Sequence, residues 1–234
     1  MDMKKKRSLL FGSILICMMI FLGLLYVSMY KEGTTASVTV EDIPEYDGQP
    51  YVEINDNKPD FETYEIEEAQ TSFETYEQLD DLGRCTMAKA SISQDTMPTQ
   101  DRESISSVKA SGWENERYDF VPGGWVYNRC HLIGYQLTGE NANQRNLITG
   151  TRYMNTEGML PFENEIAEYV KETDDHVLYE VTPIYEGNDL VASGVHMQAC
   201  SVEDDCESLS FNVYAYNVQP GIEIDYATGE NKEE

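Results

Sequence analysis

Residues 127–164, YNRCHLIGYQLTGENANQRNLITGTRYMNTEGMLPFEN, place His131, Asn146, Asn155 and Glu163 behind Arg129. His131 follows Arg129 by two positions and precedes the apolar Leu132-Ile133-Gly134, as a strand end does before it turns. The chain has three histidines in 234 residues. His176 and His196 lie within the alternating runs HVLYEV and LVASGVHMQA, which read as strands with structural histidines. His131 differs in its company, because Asn146, Asn155 and Glu163 follow at steps of fifteen, nine and eight residues. Eight residues are about two helical turns, so Asn155 and Glu163 share a face if the segment is helical. An amide oxygen and a carboxylate there suit a hard divalent cation that keeps most of its waters. A neutral imidazole accepts a proton from water near pH 7, and Arg129 adds charge toward a phosphate. Read without this chemistry, Asn155 is a capping residue and Glu163 part of a solvated helix face. Pro161 interrupts a continuous helix between them unless it opens a second one over the residues that follow.

This block resembles the DNA/RNA non-specific endonucleases, the ββα-metal or His-Me finger nucleases, whose signature is Asp-Arg-Gly-His followed by asparagines and a glutamate. Residues from about 43 to 227 look like the membrane-anchored or secreted Gram-positive bacterial branch. The resemblance implies that His131 is the general base and Arg129 stabilises the phosphate in the transition state. It implies that Asn146 orients the histidine or the phosphate. Asn155 would be the direct ligand of Mg2+, with Mn2+ as a substitute, and Glu163 would hold the ion through its water shell. The implied fold is α+β, a ββα-metal nuclease with a central antiparallel sheet flanked by helices. The implied activity is sequence-non-specific hydrolysis of DNA, with RNA as a further candidate substrate. Two positions depart from the signature: Asn128 stands in place of the aspartate and Cys130 in place of the glycine. The first removes a charge beside the histidine. Cys130 either packs beneath the loop, pairs in a disulfide, or offers a thiol next to the base. The alternative function is an extracellular binding or structural module that keeps the fold with weakened or lost catalysis.

Lys4, Lys5, Lys6 and Arg7 precede an uncharged run over residues 8–30, the length of a bilayer-spanning helix. The expected organisation is a cytoplasmic flank at 1–7, a transmembrane signal anchor at 8–30, a short linker at 31–42, the nuclease domain at 43–227 and a loose tail at 228–234. The domain then lies outside the cell, or is released if the segment is cleaved after Ala36. Beyond Cys17 there are four cysteines, Cys85, Cys130, Cys200 and Cys206, enough for two disulfides. Cys200 and Cys206 are close enough in sequence to bridge the end of a hairpin. The absence of any Cys-x-x-Cys pair argues against zinc. Helix is expected over 71–81 and 164–172, and strands over 125–133, 176–185, 190–201 and 211–218. A turn at 186–189 makes a hairpin of the second and third strands. Nothing points to a protein partner; the expected partners are the nucleic acid and, through the N-terminal helix, the membrane.

A net charge of −27 opposes nucleic acid binding, but it is unevenly spread. Residues 41–81 hold fifteen acids against Lys58, a net −14, whereas residues 128–152 hold three arginines against Glu140, a net +2. The motif is a basic island in an acidic chain. Cleavage is therefore expected to fall steeply as ionic strength rises; a flat salt profile in an initial-rate assay would refute electrostatic capture.

Overall fold

The structure, a computed structural model, describes residues 38–234. The expected cytoplasmic flank and transmembrane anchor lie outside the described residues. Among those described, no helix is long and apolar enough to cross a membrane. Along the chain run β1 (Tyr51–Glu53), α1 (Thr63–Glu68), β2 (Phe73–Tyr76), β3 (Ala88–Ile92), β4 (Tyr127–His131) and α2 (Tyr135–Thr138). They are followed by β5 (Leu147–Thr151), a π-helical turn (Met154–Met159), α3 (Leu160–Thr173) and β6 (Val177–Ile184). The remaining strands are β7 (Gly194–Ser201), β8 (Ser210–Tyr216), β9 (Ile222–Ile224) and β10 (Asn231–Glu233).

Six strands form a central antiparallel sheet in the order β1-β8-β7-β6-β3-β2. The β6–β7 hairpin expected from the sequence forms, with Val177 opposite Ser201 and Ile184 opposite Gly194. Alternation along β6 sends its side chains to two apolar layers. Val177, Tyr179 and Val181 enter the main core with Val195, Met197, Phe211 and Val213, against Ile166, Ala167 and Val170 of α3. Leu178 faces the other way, with Ala69, Val202, Ile66 and Phe73. On that second face Lys89 is paired with Glu65 of α1 and, at 3.1 Å, with Glu180 of β6.

Two expectations are corrected here. Residues 71–81 hold no helix; Phe73–Tyr76 is edge strand β2, paired in register with Ala88–Ser91. Its aromatic and threonine side chains suit a half-buried pleat, and pairing with β3 overrides the local pattern. Beyond it, the Asp80 carboxylate accepts from the Leu82 and Arg84 amides and turns the chain. The segment expected to be a loose tail is tied down: Asn231–Glu233 pairs with Ile222–Ile224, and the Tyr127 hydroxyl donates to the Gly229 carbonyl at 3.0 Å. Val40 and Ile43, at the end of the expected linker, already pack against Ile184 and Tyr216. Cys200 and Cys206 form a disulfide where β7 turns toward β8, while Cys85 and Cys130 are free and buried.

The β4–β5 hairpin stands apart from the large sheet. Asn217, fully buried just after β8, joins the two. Its Oδ1 accepts from the Thr151 amide at 2.8 Å, and its Nδ2 donates to the carbonyls of Thr149 at 3.1 Å and Ala192 at 2.9 Å. Truncation leaves three buried backbone groups unpaired, each costing on the order of 1 kcal/mol or more. Asn217→Ala is therefore expected to lower stability by about 3 kcal/mol in denaturant titration. A loss under about 0.5 kcal/mol, the range of an ordinary surface substitution, would show that the amide is not the anchor.

Candidate active site

His131 ends β4, opposite Leu147 at the start of β5. The loop after it is held from across the hairpin by Asn146, which is fully buried. The Asn146 carbonyl accepts from the Leu132 amide at 2.9 Å. Its side-chain Oδ1 accepts from the Ile133 amide at 2.9 Å, and its Nδ2 donates to the Ile133 carbonyl at 3.0 Å. Asn146 thus holds the histidine loop through its backbone and is itself fully buried.

The His131 ring is 6% exposed. Its Nε2 lies 2.8 Å from the Asn141 carbonyl, which can only accept, so Nε2 carries the proton. Nδ1 is then the basic nitrogen, 3.3 Å from Arg102 Nη2. Burial draws the imidazole pKa down to about 4; the Asn141 hydrogen bond opposes this and the Arg102 charge adds to it. The ring is therefore neutral at pH 7.

Asn155 lies in the π-helical turn and Glu163 in the first turn of α3, so the two do not share one continuous α-helix. Pro161 sits in that first turn, where a missing N–H costs nothing, and opens the helix instead of breaking it. The Asn155 Oδ1 accepts from the Cys130 thiol at 3.0 Å, which assigns Cys130 to packing and hydrogen bonding beneath the hairpin rather than to a disulfide. Gly150 makes room for it: a Cβ there would lie 2.6 Å from the Cys130 Cβ. Glu163 is 8% exposed, and its carboxyl pKa is pushed up to about 7 by burial, with the Gly134 backbone and Arg102 opposing. A Cβ at Gly134 would come within 2.5 Å of the Glu163 Oε2, so glycine is what lets the carboxylate face the histidine loop.

His131, Arg129, Asn155 and Glu163 all line one cleft of about 810 Å³, together with Asn128, Arg102, Arg152, Trp113 and Trp125. Arg129 is held by its Nε donating to the Val108 carbonyl and by its guanidinium stacking 4.2 Å from the Trp113 ring centre. The Nδ2 of Asn128, where the family signature has a carboxylate, is buried without a hydrogen-bond partner. Arg102 and Gly134 escaped the sequence reading. Arg102 lies 29 residues before His131 in an irregular polar stretch with no periodicity to mark it.

The donor set fits a hard cation. Asn155 has an amide oxygen with one lone pair beyond its bond to the Cys130 thiol, and Glu163 is a buried carboxylate whose ionisation a nearby positive charge would favour. Among the described residues no group of three or more His, Cys, Asp or Glu side chains is placed to hold a metal, which argues against an all-protein cage.

Residues 60–203 match the model of the DNA/RNA non-specific endonuclease family, a span that includes the whole cleft motif. Among solved structures, NucA from Streptococcus agalactiae with magnesium bound is 25% identical, with a TM-score of 0.68 over 80% of this chain and 91% of that one. The same nuclease with no metal bound gives 25% identity and a TM-score of 0.70 over 84% and 92% of the two chains. The Sda1 nuclease with bound zinc, 23% identical, shares the fold with a TM-score of 0.67 over 80% and 97%. The ββα arrangement of β4, β5 and α3 around one histidine, and a family match over more than half its length, make this chain a member of the DNA/RNA non-specific endonuclease family and a hydrolytic nuclease.

Proposed function

We propose that this nuclease is a sequence-non-specific endonuclease that cleaves DNA, and RNA as a second substrate, outside the cell with the help of one divalent cation. The observation that carries the reading is the cleft itself. A neutral imidazole with its Nδ1 unprotonated, the side chains of Asn155 and Glu163 and a stacked arginine line the same space. His131 takes a proton from the attacking water at Nδ1, and the Asn141 carbonyl holds Nε2–H and steadies the imidazolium that results. Arg129, fixed by Trp113 and Val108, presents its terminal nitrogens to the non-bridging phosphate oxygens. Asn155 and Glu163 would hold the cation, Mg2+ first and Mn2+ as a substitute, and when bound it supplies positive charge against the developing phosphate and leaving-group charge.

The extracellular setting rests on the Cys200–Cys206 disulfide, which persists in oxidising compartments, and on likeness to a protein described as an extracellular nuclease, 25% identical with a TM-score of 0.52 over 70% and 94% of the chains. We assign the membrane attachment to residues 8–30, with release if the chain is cut after Ala36.

The test uses the full chain, in mild detergent because of its apolar run, with plasmid DNA and with RNA. Cleavage in Mg2+ is expected to vanish with chelator and to fall by about 10²–10⁴-fold in His131→Ala. Glu163→Gln is expected to shift the Mg2+ requirement to higher concentration. A folded protein that cuts neither polymer in Mg2+ or Mn2+ would instead be a binding module in which Asn128 has replaced a needed carboxylate.

A further inference from the structure

The chain has two tryptophans, and both line the cleft. Their surroundings differ. Trp113 packs with Val126, Tyr127 and Ile222 in a small apolar cluster and carries Arg129 on one face, so it has a structural task. Trp125 belongs to no buried cluster among the described residues and is 47% exposed. Exposure alone is ordinary, as at Tyr64 and Phe120, but Trp125 differs in lying inside the cleft, where a half-exposed indole is the kind of aromatic that contact surfaces use. Yet the ring is not left to swing. Its backbone bridges to Arg117, whose guanidinium lies 5.3 Å from the ring centre. Gly124 makes room for that arginine, since a Cβ there would stand 2.9 Å from Arg117 Nη2. The glycine seats the arginine, and the arginine braces the indole.

Charge says what the surface meets. Arg102, Arg129 and Arg152 line the same cleft against a single carboxylate, Glu163. Glu114, Glu116 and Asp119 neighbour Arg117 in sequence, but none of them lines the cleft. A polyanion drawn to the arginines brings its bases to the indole. In a duplex each base already has its faces covered by its neighbours, so only an unpaired base has a face to offer. Stacking tolerates any base, which agrees with cleavage at any sequence.

We propose that Trp125, braced by Arg117, is a stacking subsite for an unpaired nucleobase beside the scissile phosphate, and that it makes single-stranded nucleic acid the favoured substrate. The proposal rests on the nuclease reading above and adds the strandedness of the substrate. The test compares the full chain in detergent with Trp125→Ala and Trp125→Phe on a labelled single-stranded oligodeoxynucleotide, its duplex, and an abasic strand of equal length. Trp125→Ala is expected to raise KM for the single strand about tenfold with kcat unchanged, within the range of base–aromatic stacking, and to leave the duplex unaffected. Trp125→Phe keeps most of the wild-type KM. Wild type prefers the base-bearing strand to the abasic one, and Trp125→Ala loses that preference, which a general loosening of the fold would not produce. Equal losses on single strand and duplex, or discrimination against the abasic strand that survives in Trp125→Ala, would overturn the subsite alone. Wild type that cleaves no substrate overturns the nuclease reading and the subsite with it.

Discussion

A buried amide must satisfy every polar group it carries, and two asparagines that do so decide where the catalytic hairpin sits. The β4–β5 hairpin has no hydrogen-bonded neighbour in the six-stranded sheet, so ladder pairing cannot place it. Asn217 reaches from the end of β8 to the backbone of β5, and Asn146 reaches across the hairpin mouth to the loop after His131. Apolar packing of Cys130, Ile148 and Leu132 against the core is permissive about small shifts. Hydrogen bonds near 3 Å are not, and the proposed role of His131, which sets it against a water and a phosphate, asks for that precision.

The cleft then sets two buried titratable groups against each other. Desolvation disfavours the charged form of both, so it lowers the His131 pKa and raises that of Glu163. The base stays neutral, ready to accept a proton. The acid is held near its ionisation midpoint at pH 7, where an added positive charge readily takes it to carboxylate. Arg102 pushes the same way on both, away from imidazolium and toward carboxylate. One arginine far off in sequence therefore tunes the base and the acid together.

The parts legible in the sequence are those written in local spacing. The His131, Asn155 and Glu163 intervals are fixed by a hairpin and a helix of set lengths, and the runs of β6, β7 and β8 alternate or stay apolar as strands in a packed sheet do. The Cys200–Cys206 pair reads from its short separation. What stayed hidden depends on the partner rather than the segment. Phe73–Tyr76 is a strand because β3 offers an edge, and the final residues are ordered because β9 and Tyr127 receive them. Arg102 reaches His131 from an irregular segment whose course no periodicity encodes. For Asn146 the family resemblance implied a part in orienting the histidine or the phosphate, and its bonds to the Ile133 backbone needed coordinates.

The tie between Tyr127 and the β9–β10 ribbon bears on when the enzyme comes into being. Tyr127 begins the strand that ends in His131, and its hydroxyl donates to the Gly229 carbonyl, while Ile222 and Ile224 pack in its cluster. Those residues are synthesised about a hundred positions later. A chain whose last residues are not yet made lacks the support behind β4. The footing of the strand that carries His131 is thus written in two distant parts of the chain, and β4 gains its full support only when the last residues are in place.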